Sequence, residues 1–255
     1  MKFVRFQAEG RTGFGVLSEE GEVRVYEGDM FHRPRPSGLS LALDRVKLLP
    51  PSDAPAMIAL WNNSRSQIAK LKRETPREAL YFLKPRSSFA THGDPILYPR
   101  GLSERVVLEG ELGIVIGRRT RGVNPEEARG AIFGYTVVND VTAQDVVKRD
   151  STFPQYTRAK GFDTFSIFGP VIDTDVDPMT LTVESFINGV KHQDYPVEDL
   201  VLNPFEIVAS ISQTMTLEPG DVIACGTSLG ADPIQIGDTV EIRIAGIGSL
   251  VNTVA

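Results

Sequence analysis

Glu109-Gly110-Glu111 opens the apolar run Leu112-Gly113-Ile114-Val115-Ile116-Gly117. In a strand, residues i and i+2 share a face, so both carboxylates point the same way at the start of a segment apolar enough to be buried. Like charges placed so are costly unless a cation neutralises them. Joined by a third carboxylate, they suit Mg²⁺ or Mn²⁺, with water or substrate completing the shell. The same spacing also fits an exposed strand end with solvated acids, and spacing alone does not choose. A candidate third carboxylate is Asp140, where the apolar stretch Gly134-Tyr135-Thr136-Val137-Val138 gives way to a short helix. An Asp there also serves as a helix N-cap. Lys160 lies between small and aromatic residues in Arg158-Ala159-Lys160-Gly161-Phe162. On a surface it is solvated; beside a metal it would bind an anionic substrate or stabilise an enolate.

Gly226-Thr227-Ser228-Leu229-Gly230 matches the nucleophile elbow of serine hydrolases, which needs a strand before it and a helix after it. The following Ala231-Asp232-Pro233-Ile234-Gln235 is no helix, and the last His, His192, precedes the Ser. Ser228 is therefore rejected as a nucleophile.

The elements that must hold these residues are short. Strands are expected over 2–7, 12–17, 23–26, 56–60, 81–84, 105–108, 111–116, 132–138, 166–171, 181–187, 222–225 and 239–244, separated by Gly, Pro, Asp or Asn. Helical spacing is confined to 63–72, 124–131, 141–147 and 204–213. Pro34, Pro36 and Gly38 punctuate a connector that runs to Leu48-Leu49-Pro50-Pro51. Without a long βαβ alternation, a doubly wound parallel sheet is disfavoured. The expectation is a mixed α/β chain that is mainly β, with a few covering helices. Residues 1–50 would form a small β-rich N-terminal subdomain and 51–255 the catalytic body.

Composition narrows the function classes. One cysteine, Cys225, excludes an intramolecular disulfide and a multi-thiolate metal site, and points to a reducing, cytoplasmic setting. No apolar stretch approaches the roughly 20 residues that span a bilayer. Residues 1–160 carry 25 Lys and Arg against 19 Asp and Glu, whereas 161–255 carry 2 against 14. The basic residues are scattered and the pI is about 5.2, which argues against nucleic acid as a partner.

Several segments together resemble the fumarylacetoacetate hydrolase family: Tyr81-Phe82-Leu83-Lys84-Pro85, Glu109 to Gly117, Gly134 to Ala143, Arg158 to Phe165, Pro219-Gly220-Asp221-Val222-Ile223 with Gly226-Thr227, and Gly246-Ile247-Gly248. They run in family order from about residue 55 to the carboxyl terminus. The resemblance implies a mixed β-roll, usually a homodimer, with a divalent metal held by Glu109, Glu111 and Asp140. It further implies Lys160 as the active-site lysine and Thr227 in a turn that contacts substrate carboxylate. Gln144 stands where many relatives carry Arg.

Such a site suits a small 2-oxo acid, whose carboxylate and oxo oxygen chelate the metal while an enolate develops. Hydrolysis of an acylpyruvate, decarboxylation and keto–enol or double-bond isomerisation all pass through that enolate. One departure separates them. Hydrolases and decarboxylases of the family commonly carry a His, often with a Glu, on a short lid helix; the matching stretch, Leu60 to Lys70, has no His and Ala69 near the Glu position. That moves weight towards isomerase or decarboxylase action on an unsaturated dicarboxylate of aromatic catabolism, or towards a non-catalytic member that binds a metabolite or partner. Arg65 in this stretch either meets a second substrate carboxylate or is a solvated helix residue, and His92 is a possible replacement base.

Overall fold

Every residue of the strand Gly110–Ile116 is buried, so it must be covered on both faces. The computed structural model, which describes all 255 residues, places it inside a large twisted sheet. Across that sheet run His32–Ala42, Glu22–Asp29, Arg11–Leu17, Lys2–Ala8, Ser166–Asp173, Ile132–Asp140, Gly110–Ile116, Val222–Ala224, Met57–Trp61 and Leu80–Lys84. Neighbours are antiparallel except Val222–Ala224 with Met57–Trp61; Phe89–Ala90 also joins Ser166–Asp173 in parallel. A second sheet of four antiparallel strands runs Val190–Pro196, Thr182–Ile187, Thr239–Ile244, Gly248–Thr253. The expected mixed, mainly β architecture is what the chain adopts.

Strand alternation sorts the core. Leu112, Ile114 and Ile116 join Val183, Ile242 and Ile244 of the smaller sheet in one apolar cluster, while Val115 joins Val138, Phe168 and Met57 in another. Gly113 is what lets the neighbouring strand close in: a Cβ there would lie 2.6 Å from Val138 Cγ2 and 2.8 Å from Thr136 Cγ2. Glu111 shares parity with Val115, and Asp140 with Val138, so both acids stand at the polar end of the second cluster's face.

The N-terminal strands extend the same hydrogen-bonded ladder, Lys2 and Phe3 pairing with Asp173 and Ile172. Residues 34–42 correct the sequence expectation: they belong to the eleven-residue strand His32–Ala42, not to a connector. Proline is disfavoured inside a ladder but tolerated at an edge, and this strand is the outermost of the sheet. The principal helix, Pro204–Thr214, starts with a capping box between Asn203 and Glu206 and Pro204 in its first turn. It buries Phe205, Ile207, Val208 and Ile211.

Candidate active site

Glu109 and Asp140 face each other across two antiparallel strands, the Asp140 amide donating to the Glu109 carbonyl at 2.9 Å. Glu111 follows two residues on, and the carboxylates of Glu109, Glu111 and Asp140 converge with oxygens within 4.8 Å of one another. Asp140 is fully buried and Glu111 is 1% exposed. The solvated strand end is therefore excluded, and Asp140 ends a strand instead of capping a helix.

Two ammonium groups enter this cluster. Lys160, the last residue of the helix Tyr156–Lys160, donates to Glu109 Oε2 at 2.7 Å and to Asp140 Oδ2 at 2.5 Å. Lys84, the last residue of the strand Leu80–Lys84, donates to Asp140 Oδ1 and to the Phe165 carbonyl, the latter at 2.8 Å. Three carboxylates against two ammoniums leave one buried negative charge in excess. It falls on Glu111, whose carboxylate accepts one hydrogen bond, from the Gly226 amide at 2.6 Å.

The titration behaviour follows. Burial, reinforced by the Asp140 charge, holds the Glu111 carboxyl well above the usual carboxylate range. Burial also raises Glu109, against the pull of Lys160. Burial acts on Asp140 too, but Lys160 and Lys84 outweigh it and lower its pKa. Burial opposes the Lys160 ammonium, yet Asp140, Glu109 and Glu111 together push its pKa up. Lys84 goes the other way: burial outweighs Asp140 and lowers it. An all-oxygen donor set with an uncompensated charge fits a hard divalent cation.

The turn after Val222–Ala224 closes the site. Gly226 has φ +94°, and a Cβ there would come 3.1 Å from Asn63 Cβ. Thr227 Oγ1 donates to the Gly110 carbonyl at 3.1 Å and accepts from Gln193 Nε2 at 2.8 Å. Gln193 also accepts from the Gly110 amide at 2.9 Å, so one buried side chain ties the acidic strand to the turn.

The cluster opens into a cleft of about 480 Å³ whose walls include Glu109, Lys160, Thr227, Gln144, Trp61 and Tyr156. Gln144 accepts from Arg105 Nε at 2.5 Å. Arg65, by contrast, does not line this cleft: it donates to the Val201 carbonyl at 3.1 Å and borders a separate depression. Its helix, Arg65–Leu71, is capped by Ser64, and Arg65 in its first turn is exposed. His92 accepts from the Val251 amide at 3.1 Å, His192 pairs with Asp232, and no histidine lines the cleft. Ser228 is buried against Asp199 and Ser64, at 2.7 and 2.9 Å, and no histidine hydrogen-bonds to it. Sequence reasoning missed Lys84 and Gln193 as site residues. The available signal for Lys84 was a charge at the end of an apolar strand; Gln193, within Lys191-His192-Gln193-Asp194, offered none.

Comparison with known proteins agrees with this architecture. Residues 56–255 match the family described as fumarylacetoacetate (FAA) hydrolase C-terminal, and residues 1–51 that described as Rv2993c-like, N-terminal. A 2-hydroxyhepta-2,4-diene-1,7-dioate isomerase from Mycobacterium marinum is 38% identical, with a TM-score of 0.90 over 100% of this chain and 98% of its own. Oxaloacetate tautomerase YisK of Bacillus subtilis is 32% identical over 227 residues, 84% of this chain and 74% of that protein. Maleylpyruvate hydrolase of Sphingobium sp. SYK-6, whose structure holds manganese (II) ion and pyruvate, is 26% identical with a TM-score of 0.81 over 100% and 99% of the two chains. A match across four-fifths of the sequence, together with these relatives, places the chain in the fumarylacetoacetate hydrolase family.

Proposed function

We propose that this chain is a divalent-metal-dependent enzyme that carries a small 2-oxo acid through an enolate, by isomerisation or decarboxylation of a dicarboxylate. The observation that carries the reading is the convergence of Glu109, Glu111 and Asp140 with Lys160 among them. Glu109, Glu111 and Asp140 would hold the ion. Bound there, Mg²⁺ or Mn²⁺ supplies Lewis-acid stabilisation for the negative charge of the enolate.

The chain's own residues supply the rest. Lys160, kept protonated by three acids, sets a fixed positive charge at the edge of the cleft where the 2-oxo oxygen becomes anionic. Thr227, anchored on Gly110 and Gln193, presents its turn to the substrate carboxylate. Trp61 and Tyr156, with ring centroids 5.8 Å apart, wall the cleft with aromatic surface, and Phe82 stacks on Tyr156 at 5.5 Å. Hydrolysis asks for an activated water, and the cleft contains no His–Glu pair to prepare one. Proton movement between keto and enol forms asks for none, which favours isomerisation. The relatives named as an isomerase and a tautomerase agree with that choice. The reading includes a cytosolic setting and a homodimer as the working unit.

The test is a panel of oxaloacetate, acylpyruvates and unsaturated hydroxy-dicarboxylates with added Mg²⁺ or Mn²⁺. Enol–keto interconversion or decarboxylation that stops on chelation supports the reading. Cleavage of acylpyruvates alone would make it a hydrolase. Binding without turnover of any compound would make it a metabolite-binding member.

A further inference from the structure

The charges that line the cleft are unevenly partnered. Lys160 is paired with Glu109 and Asp140, and Asp145 with Arg149 at 2.9 Å. Arg73, Arg105 and the exposed Lys148 line the same cleft and form no ion pair. Arg73 is half-buried, with its guanidinium carbon 5.1 Å from the centre of the Trp61 ring. Its Nη1 reaches only two amide oxygens, of Asn62 and Gln67, both at 3.4 Å. Arg105, also exposed, spends Nε on Gln144 Oε1 at 2.5 Å, and neither Nη has a partner.

Both guanidinium groups are thus oriented by neutral groups, an aromatic face and side-chain amides, and neither is neutralised. Stacking on an aromatic ring fixes the plane of a guanidinium while leaving its edge free to donate. A planar fork with a free edge is suited to bidentate capture of a carboxylate. A 2-oxo acid held at the acidic cluster engages its own carboxylate there, so these arginines are left for a second one.

We propose that Arg73, seated on Trp61, and Arg105, braced by Gln144, form the subsite for a second carboxylate, which makes the enzyme selective for dianionic 2-oxo acids. This rests on the proposed function for the orientation of the substrate. It moves to Arg73 and Arg105 the part that the sequence offered to Arg65, and it gives Gln144 a positioning role.

The test uses a pair of near-isosteric probes: 2-oxoglutarate, and 2-oxopentanoate with a methyl group in place of the second carboxylate. Trp61 is the only tryptophan, so its fluorescence reports occupancy of this subsite directly, and calorimetry gives Kd for each variant. The Mg²⁺-loaded wild type should bind 2-oxoglutarate at least about tenfold tighter than 2-oxopentanoate, with an emission change at Trp61. Arg73→Met and Arg105→Met should each reduce that preference and the double variant should abolish it; Arg73→Lys, with charge but no fork, should fall between. Equal affinity for the two probes, no binding of 2-oxoglutarate, or a full preference in the double variant would overturn the subsite. Turnover separates this from the catalytic reading. A wild type that shows the binding preference and converts no 2-oxo acid keeps the subsite and loses the enolate chemistry. One that converts 2-oxo acids without preference loses the subsite alone.

Discussion

Lys84 and Asp140 are buried together with no exposed side-chain surface on either, and the Lys84 ammonium rests on Asp140 Oδ1. Asp140 thereby offers Oδ2 to Lys160 from a fixed direction. Removing one partner of a buried pair leaves the other charge without compensation, which costs about 3–5 kcal/mol. Lys160 still pairs with Asp140, so Lys84→Met should destabilise the metal-free protein by less than that, about 1–3 kcal/mol in urea unfolding. Added Mn²⁺ should then stabilise the variant more than the wild type, because the cation restores positive charge to the cluster. Equal Mn²⁺ stabilisation of both proteins would separate Lys84 from the acidic site.

Glu111 gives the complementary case. No cation touches its carboxylate, and the Gly226 amide that it accepts can be accepted equally by an amide oxygen. Glu111→Gln should fold with metal-free stability equal to or above that of the wild type, since Gln keeps the acceptor for Gly226 and removes a buried carboxyl whose ionised form no cation touches. Its Mn²⁺ affinity should fall by about a hundredfold or more, given that even outer partners of a metal site are worth 10–100-fold. Thermal melts without metal and calorimetry with it check the two halves. Unchanged affinity would remove Glu111 from the ligand set.

Lys160 separates charge stabilisation from metal holding. Lys160→Met should lower kcat by about 10²–10³, the range for loss of one fixed donor to a developing oxyanion. Mn²⁺ affinity should hold or rise, because Glu109 and Asp140 lose a competing ammonium. Steady-state kinetics beside calorimetry decides it, and near-normal kcat would end the role assigned to Lys160.

The shared face of Glu109 and Glu111 was legible because a strand's period of two is a local rule, but their burial was not, since the same spacing fits a solvated strand end. Asp140 and Lys160 rested on family likeness, since the sheet register that brings Asp140 opposite Glu109 spans 31 residues and no local pattern encodes it. Lys84 escaped because its partners, Asp140 and the Phe165 carbonyl, lie 56 and 81 residues away in sequence, where no local pattern reaches. Gln193 escaped because the strand Val190–Pro196 reads as polar, being an edge strand whose inward residues are only Gln193 and Tyr195. Of the two readings left open for Arg65, the solvated helix residue holds: helical spacing located the helix but not the face that its first turn, capped by Ser64 and tied to Asp199, presents.

That tie makes the last prediction. Asp199 accepts from Ser64 Oγ and Ser228 Oγ at 2.6 and 2.7 Å on one oxygen, and from Ser66 Oγ and Ser66 N at 2.6 and 3.0 Å on the other. It joins the start of the helix Arg65–Leu71 to the Thr227 turn, and both line the cleft through Gln67, Leu71 and Thr227. Partial burial raises its carboxyl pKa, but the bonds from Ser64, Ser66 and Ser228 outweigh this and lower it below the usual carboxylate range. A lowered folded pKa contributes stability that is fully present above the unfolded value and is lost as pH falls through the folded one. Asp199→Asn should cost about 1.5–3 kcal/mol near neutral pH, the worth of hydrogen bonds to a charged acceptor. The gap between wild type and variant should stay constant down to about pH 5 and close progressively below about pH 4. Denaturation at a series of pH values measures that gap directly. A gap that persists undiminished at the lowest pH would mean that Asp199 acts through its shape and not through its charge.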